Sequence, residues 1–198
     1  MADKLRARLA LVSVSLCLAF TLDVRAIGGA SGEIASWLDG PQPTSWNSAG
    51  LAVPAAPKLG ESADPRCRAL ARPAELDEDK RLVERGWDLV GEFQGGWQIR
   101  VMLGTAGYDG MCRPRGYQGF VFVRGAFAGT LAPQPMDSRT DGALGQVHLE
   151  GTGRLRAEYR RYAPSDPLCC PSRTTSVVFA VANDPPVLRP VSASTSSN

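Results

Sequence analysis

The alternation of apolar and polar residues predicts that the middle of the chain is built from short β-strands. Two alternating runs, residues 87–94 and 97–103, are separated by Gly95-Gly96. A glycine pair between two such runs is typical of the tight turn of an antiparallel hairpin. We therefore predict that these runs pair with each other as the first hairpin of the fold.

A second hairpin is predicted over residues 117–123 and 126–131, which Arg124-Gly125 joins. Apolar side chains on both faces of a strand are typical of an inner strand that is covered from both sides. The first strand of this hairpin has that pattern, with Tyr117, Val121 and Val123 on one face and Phe120 and Phe122 on the other. We expect a helix to cover one of the two faces.

Further runs predict strands at residues 146–150, 155–160, 175–182 and 187–191. One helix is predicted over residues 73–85, because proline begins it, acidic residues crowd its first turns and Gly86 follows its basic end. No helical segment separates successive strands, which favours antiparallel pairing. The predicted fold class is α+β: an antiparallel β-sheet of about six to seven short strands with one N-terminal helix, stapled by disulfides.

The N-terminus has the layout of a secretory signal peptide, with a basic start and an apolar run over residues 9–22. That run is shorter than the roughly 20 residues that a membrane-spanning helix needs. We expect cleavage after Ala26 and no lipid on Cys17, because Leu16 precedes it and apolar residues follow it. The expected organisation is a signal peptide (1–26), a flexible lead-in (27–63), a single α+β domain (64–191) and a disordered tail (192–198).

The charge balance argues against a polyanionic partner. The chain has 198 residues with 22 Lys+Arg and 20 Asp+Glu. Residues 1–26 hold four of the basic and two of the acidic residues, so 18 of each remain in the mature chain, a net charge of zero. Nucleic acid is therefore not expected as a partner. No later run is apolar enough to predict a transmembrane segment in the mature chain.

Four cysteines lie beyond residue 26, namely Cys67, Cys112, Cys169 and Cys170. An even number of cysteines in an exported chain is typical of a disulfide framework. Bonding the adjacent pair to each other demands a strained eight-membered ring, so we favour one bond from each member to Cys67 and Cys112, in either order. A zinc site is not expected, because the pair has no spacing and His148 is the only histidine.

The candidate binding residues are Arg113, Arg115, Asp137, Arg139 and Asp141, which we expect to come together near the loop of Cys169 and Cys170. The segment from Asp137 resembles the start of a calcium loop, but Arg139 stands at an acidic position and His148 replaces the final glutamate. We therefore expect no metal and no cofactor. Asp137 and Asp141 are expected to cap turns, and Arg139 to bridge carboxylates or carbonyls.

Two segments resemble the LppP/LprE lipoprotein family of exported bacterial proteins. The first, CRPRGYQGFVFVRGAFAGTLAPQPMDSRTDGA, begins at Cys112, and the second, RYAPSDPLCCPS, begins at Arg161. The resemblance spans residues 67–181 and is most specific over residues 166–172. It implies a cell-envelope protein without an established enzymatic activity. The lipid-anchoring cysteine of the family is missing here, which favours a soluble exported form.

Three hypotheses for function follow. The leading one is a non-enzymatic periplasmic or secreted protein, with no catalytic residues, that binds an unknown cell-envelope component or protein. The alternative is a hydrolase of envelope polymers that uses Asp137 and Asp141, and a third is a purely structural domain. An enzyme needs a cleft that holds a carboxylate of raised pKa, whereas a binding module needs an exposed apolar or charged patch.

Overall fold

A computed structural model describes residues 36–40, 45–60 and 65–198. The expected signal peptide and its cleavage site lie outside these residues. The helical elements are a 3-10 turn (Ser36–Leu38), α1 (Pro65–Arg68) and α2 (Asp77–Glu84). The strands are β1 (Asp88–Gly95), β2 (Arg100–Thr105), β3 (Gly107–Tyr108), β4 (Pro114–Arg115), β5 (Gln118–Val123), β6 (Ala126–Thr130), β7 (Ala143–Leu149), β8 (Arg154–Arg161), β9 (Arg173–Asn183) and β10 (Pro186–Ser197).

Within the described part of the chain the strands form two four-stranded sheets and a two-stranded ribbon. The first sheet has the order β1-β2-β5-β6, the second has the order β10-β9-β8-β7, and β3 pairs with β4 in the ribbon. Every pairing is antiparallel, as predicted. The prediction of one sheet with six to seven strands is wrong. A sheet with an apolar face must bury it against another layer, and here a second sheet supplies that layer.

Strand β5 is buried along its whole length, which confirms that it is an inner strand covered on both faces. Val121 and Val123 belong to the larger core, which the first sheet shares with the second. Phe120 and Phe122 belong to a smaller core on the opposite face, together with Leu82 of α2. The helix therefore covers one face of the first sheet, as expected, and the second sheet covers the other.

Helix α2 begins later than predicted, because a carboxylate in its first turn accepts hydrogen bonds from the backbone N–H groups that precede the helix. Asp79 accepts hydrogen bonds from the N–H of Glu75 (3.1 Å) and of Leu76 (3.0 Å), so the helix starts at Asp77. Burial alone would raise the pKa of Asp79, but its ion pair with Arg72 and these N–H groups outweigh burial and lower the pKa. The buried carboxylate of Asp79 thus caps the helix and joins it, through Arg72, to the segment that precedes it.

The described parts of the lead-in pack tightly against the domain. Leu38 is buried in the larger core, and Trp46 Nε1 donates to the Thr130 carbonyl at 3.1 Å. Asn47 donates to the same carbonyl (3.0 Å) and accepts from the N–H of Thr130 (2.9 Å). Strand β6 is the edge of the first sheet, so the Asn47 amide satisfies backbone groups that an edge strand leaves unpaired. Segments of the expected flexible lead-in therefore complete the first sheet.

The C-terminal residues form regular structure as well. Residues 192–197, which composition predicts to be disordered, continue β10 and pair with residues 173–178 of β9. The polar composition of this stretch has a physical reason, because most of its side chains are exposed. Backbone hydrogen bonds to β9 order the segment without requiring apolar side chains.

We predict that the Asn47→Ala variant lowers the free energy of unfolding by about 1–3 kcal/mol, because it leaves the buried N–H of Thr130 without an acceptor. Urea denaturation followed by tryptophan fluorescence measures this change. Ser48→Ala, a substitution at an exposed neighbour, serves as the control and should stay within about 0.5 kcal/mol of the parent protein. Equal stability of the two variants would show that the lead-in does not support the sheet.

Candidate functional site

The loop between β6 and β7 is fastened to the β3–β4 ribbon, and this contact brings part of the predicted site together. Asp137 Oδ1 accepts a hydrogen bond from the N–H of Gly116 at 2.7 Å. Ser138 donates from both its N–H (3.2 Å) and its hydroxyl (2.8 Å) to the Pro114 carbonyl. Asp137 and Arg139 therefore lie beside the ribbon that carries Arg115. The carboxylate of Asp137 thus fastens its loop to the backbone at Gly116, 21 residues away, rather than capping a local turn as expected.

Arg113 is engaged within its own loop. Its guanidinium forms an ion pair with Asp109, and Asp109 Oδ1 also accepts the N–H groups of Arg113 and Met111, both at 2.9 Å. The backbone N–H of Arg113, helped by that of Met111 and by the guanidinium, lowers the pKa of the Asp109 carboxyl. Arg113 and Asp109 thus shape the loop between β3 and β4.

Asp141 lies on the other side of its loop and holds a buried arginine. Arg161 Nε donates to both carboxylate oxygens of Asp141, at 3.0 and 3.2 Å, and the N–H of Tyr162 donates to Oδ1 at 2.6 Å. The Arg161 side chain is only 6% exposed and also pairs with Asp39 at 2.6 Å. Both oxygens of Asp141 are therefore committed to structural contacts. Sequence reasoning did not find Asp39 or Arg161, because the ion pair joins segments 122 residues apart.

A pocket of about 210 Å³ opens beside this loop and is lined by Val90, Leu103, Pro114, Tyr117, Ser138, Arg139, Ala143, Leu144 and Arg160. We call it the Arg139–Arg160 pocket. It lies where β1 and β2 of the first sheet meet β7 and β8 of the second. Strand register shifts between Val90 and Gln94 in β1 and between Leu144 and Val147 in β7. Bulges of this kind bend edge strands away from regular pairing, and here both begin at residues that line the pocket.

Tyr117 forms the floor of this pocket and links the two sheets. Its side chain is buried, and its hydroxyl donates to the Leu144 carbonyl at 3.0 Å. Burial raises the pKa of Tyr117 well above its ordinary value, so the hydroxyl stays protonated. A protonated, hydrogen-bonded tyrosine holds the pocket wall in place and supplies no base.

The cysteine pairing differs from the predicted one. Cys67 is bonded to Cys112, and Cys169 is bonded to its neighbour Cys170. The favoured pairing of each member of the doublet with Cys67 and Cys112 is therefore wrong. The fold gives the reason, since α1 packs beside β3 and brings Cys67 to the ribbon, whereas the doublet lies in the loop between β8 and β9 of the second sheet.

The loop of Cys169 and Cys170 is organised around one carboxylate. Asp166 accepts the N–H of Ala163 (2.7 Å) and the N–H and hydroxyl of Ser172 (both 2.8 Å). The N–H of Ala163, followed by the groups of Ser172, lowers the pKa of Asp166. The loop starts beside Tyr162, whose backbone N–H contacts Asp141. The doublet itself is exposed at the tip of this loop.

Two larger pockets lie under the lead-in. Their volumes are about 400 and 290 Å³, and both are lined by Leu51, Ala52 and Phe127. Arg81 and Arg85 border the larger one, but Arg81 donates to the Gly125 carbonyl and Arg85 to the Val53 carbonyl. Among residues 36–40, 45–60 and 65–198, no group of three His, Cys, Asp or Glu residues is placed to hold a metal ion.

Comparison with known proteins identifies one family. The family model described as LppP/LprE lipoprotein matches residues 92–184, which confirms the resemblance found in the sequence over the strands from the end of β1 through β9. The match begins at residue 92 rather than at residue 67, so α1 and α2 lie outside it. The chain has no match among curated proteins or solved structures. In the described segments, no helix has the length and apolarity needed to cross a membrane.

We predict that Asp141→Ala lowers the free energy of unfolding by about 1–3 kcal/mol, because it leaves the buried Arg161 guanidinium and the Tyr162 N–H short of an acceptor. Urea denaturation measures the loss. Glu84→Ala, at an exposed helix position, is the control and should change stability by less than about 0.5 kcal/mol. An unchanged midpoint for Asp141→Ala would contradict the structural role of this carboxylate.

We also predict that the two disulfides differ in accessibility to reductant. Cys169 and Cys170 are exposed, whereas Cys67 is 1% exposed. Graded reduction of the folded protein, followed by iodoacetamide labelling and peptide mass spectrometry, should label Cys169 and Cys170 first. Labelling of Cys67 and Cys112 should need a denaturant. Peptides that link either member of the doublet to Cys67 or Cys112 would refute the pairing.

Proposed function

We propose, on the premise that residues 92–184 match the LppP/LprE lipoproteins, that this protein is an exported, non-enzymatic protein of the cell envelope that binds an envelope component. The family description supports a location in the envelope. The structure contains two disulfide bonds, one of which joins α1 to the loop between β3 and β4. Disulfide bonds are typical of proteins in an oxidising compartment. The proposed location is periplasmic or secreted.

One observation carries the choice of binding over catalysis. The carboxylates that a hydrolase would use already make structural contacts. Asp137 accepts a hydrogen bond from the N–H of Gly116, and Asp141 accepts one from Arg161. A glycoside hydrolase needs two carboxyl groups that face the same bond across a cleft, one of them with a raised pKa. By contrast, Arg139 and Arg160 line an open pocket and neither forms an ion pair with a carboxylate. This arrangement suits recognition of a ligand.

The alternative is a hydrolase of envelope polymers that acts through Asp137 and Asp141. The two proposals differ in what happens after binding, because a hydrolase releases soluble fragments and a binding protein does not. They also differ in the effect of Asp→Asn substitutions, which preserve the size of the side chain but remove its charge and its ability to act as a base.

We predict that the purified protein sediments with isolated, protein-stripped cell envelopes of the producing bacterium and releases no soluble carbohydrate or peptide. Asp137→Asn and Asp141→Asn should sediment to the same extent as the parent protein, provided that each is folded by circular dichroism. Glu84→Gln is the matched surface control.

Two results would overturn the proposal. Failure of the folded parent protein to sediment with envelopes would refute binding. Release of soluble fragments by the parent protein, and its loss in Asp137→Asn or Asp141→Asn but not in Glu84→Gln, would establish the hydrolase instead.

A further inference from the structure

The two arginines of the Arg139–Arg160 pocket have no anionic partner, whereas several other arginines of the fold do. Arg113, Arg156 and Arg161 each form ion pairs with carboxylates. Within the described part of the chain, the guanidinium groups of Arg139 and Arg160 make no hydrogen bond or ion pair, yet both line the same pocket. Two cationic side chains that line one concave site favour an anionic ligand there.

The carboxylates nearby form no ion pair with these arginines. Asp137 Oδ1 is occupied by the N–H of Gly116. Both oxygens of Asp141 are occupied by Arg161, which is itself buried. Neither carboxylate is paired with Arg139 or Arg160, so both guanidinium groups can donate to a ligand.

The backbone at Arg139 points to the same conclusion. Its φ angle is 63°, in the left-handed region that residues other than glycine, asparagine and aspartate rarely adopt. This conformation costs about 1 kcal/mol relative to glycine at the same place. Cys112 and Arg124 share this conformation, but of the three only Arg139 lines a described pocket. Glycine would fit the backbone of this turn better, so stability does not account for arginine here.

The shape and the remaining walls of the pocket restrict the ligand. Its volume of about 210 Å³ is below the roughly 300 Å³ at which sites for drug-sized molecules begin. Val90, Leu103 and Leu144 supply apolar lining to the same pocket. A ligand that fits both features carries an anionic group on a small apolar moiety.

Two guanidinium groups favour a phosphoryl group over a carboxylate. One guanidinium fork is enough to engage both oxygens of a carboxylate, whereas a phosphoryl group presents additional oxygens to a second fork. We propose that the Arg139–Arg160 pocket binds a phosphoryl group, either as free phosphate or phosphate ester or as the headgroup of a phospholipid. This inference deepens the proposed function and rests on it only in taking this pocket as the binding site.

The test measures binding of inorganic phosphate and of phenyl phosphate by isothermal titration calorimetry. A chloride salt keeps the ionic strength constant. The parent protein should bind both, and phenyl phosphate should bind several-fold more tightly because its ring contacts the apolar wall. Arg139→Gly and Arg160→Gln should each weaken binding at least about tenfold. Arg154→Gln is the matched control, because Arg154 is exposed on the same strand as Arg160 and lies outside the pocket.

The Arg139→Gly variant separates loss of the site from loss of the fold. Because glycine relieves the strain at a φ of 63°, this variant should unfold at the same urea concentration as the parent protein or at a higher one. Equal affinity of the parent protein, Arg139→Gly and Arg160→Gln for phenyl phosphate would overturn the inference. So would the absence of binding by the parent protein.

Vesicles distinguish the two sources of the phosphoryl group. Sedimentation with phosphatidylglycerol vesicles that is lost in Arg139→Gly assigns the site to a lipid headgroup, whereas binding of phenyl phosphate without sedimentation assigns it to a soluble phosphate compound. The envelope experiment stays independent of this one. Retention on envelopes without phosphate binding would refute the ligand class alone, and phosphate binding without retention would refute the proposed envelope role alone.

Discussion

The structure depends on the burial of strand β5 on both of its faces. Its valines face the second sheet and its phenylalanines face α2 and the lead-in. An apolar strand of this kind cannot leave either face in water without losing the free energy of burial, about 25 cal/mol per Å² of apolar surface. Two separate layers must therefore pack against the first sheet. The rest of the chain, including the second sheet and the helix, supplies these layers.

The candidate site arises where this layered packing ends. Bulges in β1 and β7 interrupt regular pairing at Val90 and at Leu144, so the walls of the Arg139–Arg160 pocket are contributed by both sheets. The loop before β7 is fixed by Asp137 on the ribbon and by Asp141 on Arg161. Asp141 is paired with Arg161, whereas Arg139 and Arg160, which line the pocket, have no carboxylate partner. A rigid scaffold with a polar loop at its rim is a common way to position ligand-binding side chains.

The structure brings some of the predicted site residues close together and leaves others apart. Asp137, Arg139 and the ribbon of Arg115 do come together, because they flank one hairpin and one loop that are close in sequence. Arg160 was not predicted, since alternation in β8 indicates only that its side chain is exposed. The partner of Cys67 could not be identified from spacing, because the approach of α1 to the ribbon depends on packing between segments distant in the chain.

The sequence by itself determined the local structure of this protein. Alternation, glycine turns and the two-faced apolar run of β5 depend on neighbours only a few residues apart, and they specify both hairpins and the antiparallel pairing. Tertiary structure decided the division into two sheets, the strand formed by residues 192–197, the pairing of the cysteines and the placement of Arg139 and Arg160 at one pocket. Each of these depends on contacts between segments that are distant in sequence. The free energy of such contacts comes from burial and from the pairing of backbone groups, which only the assembled layers make possible.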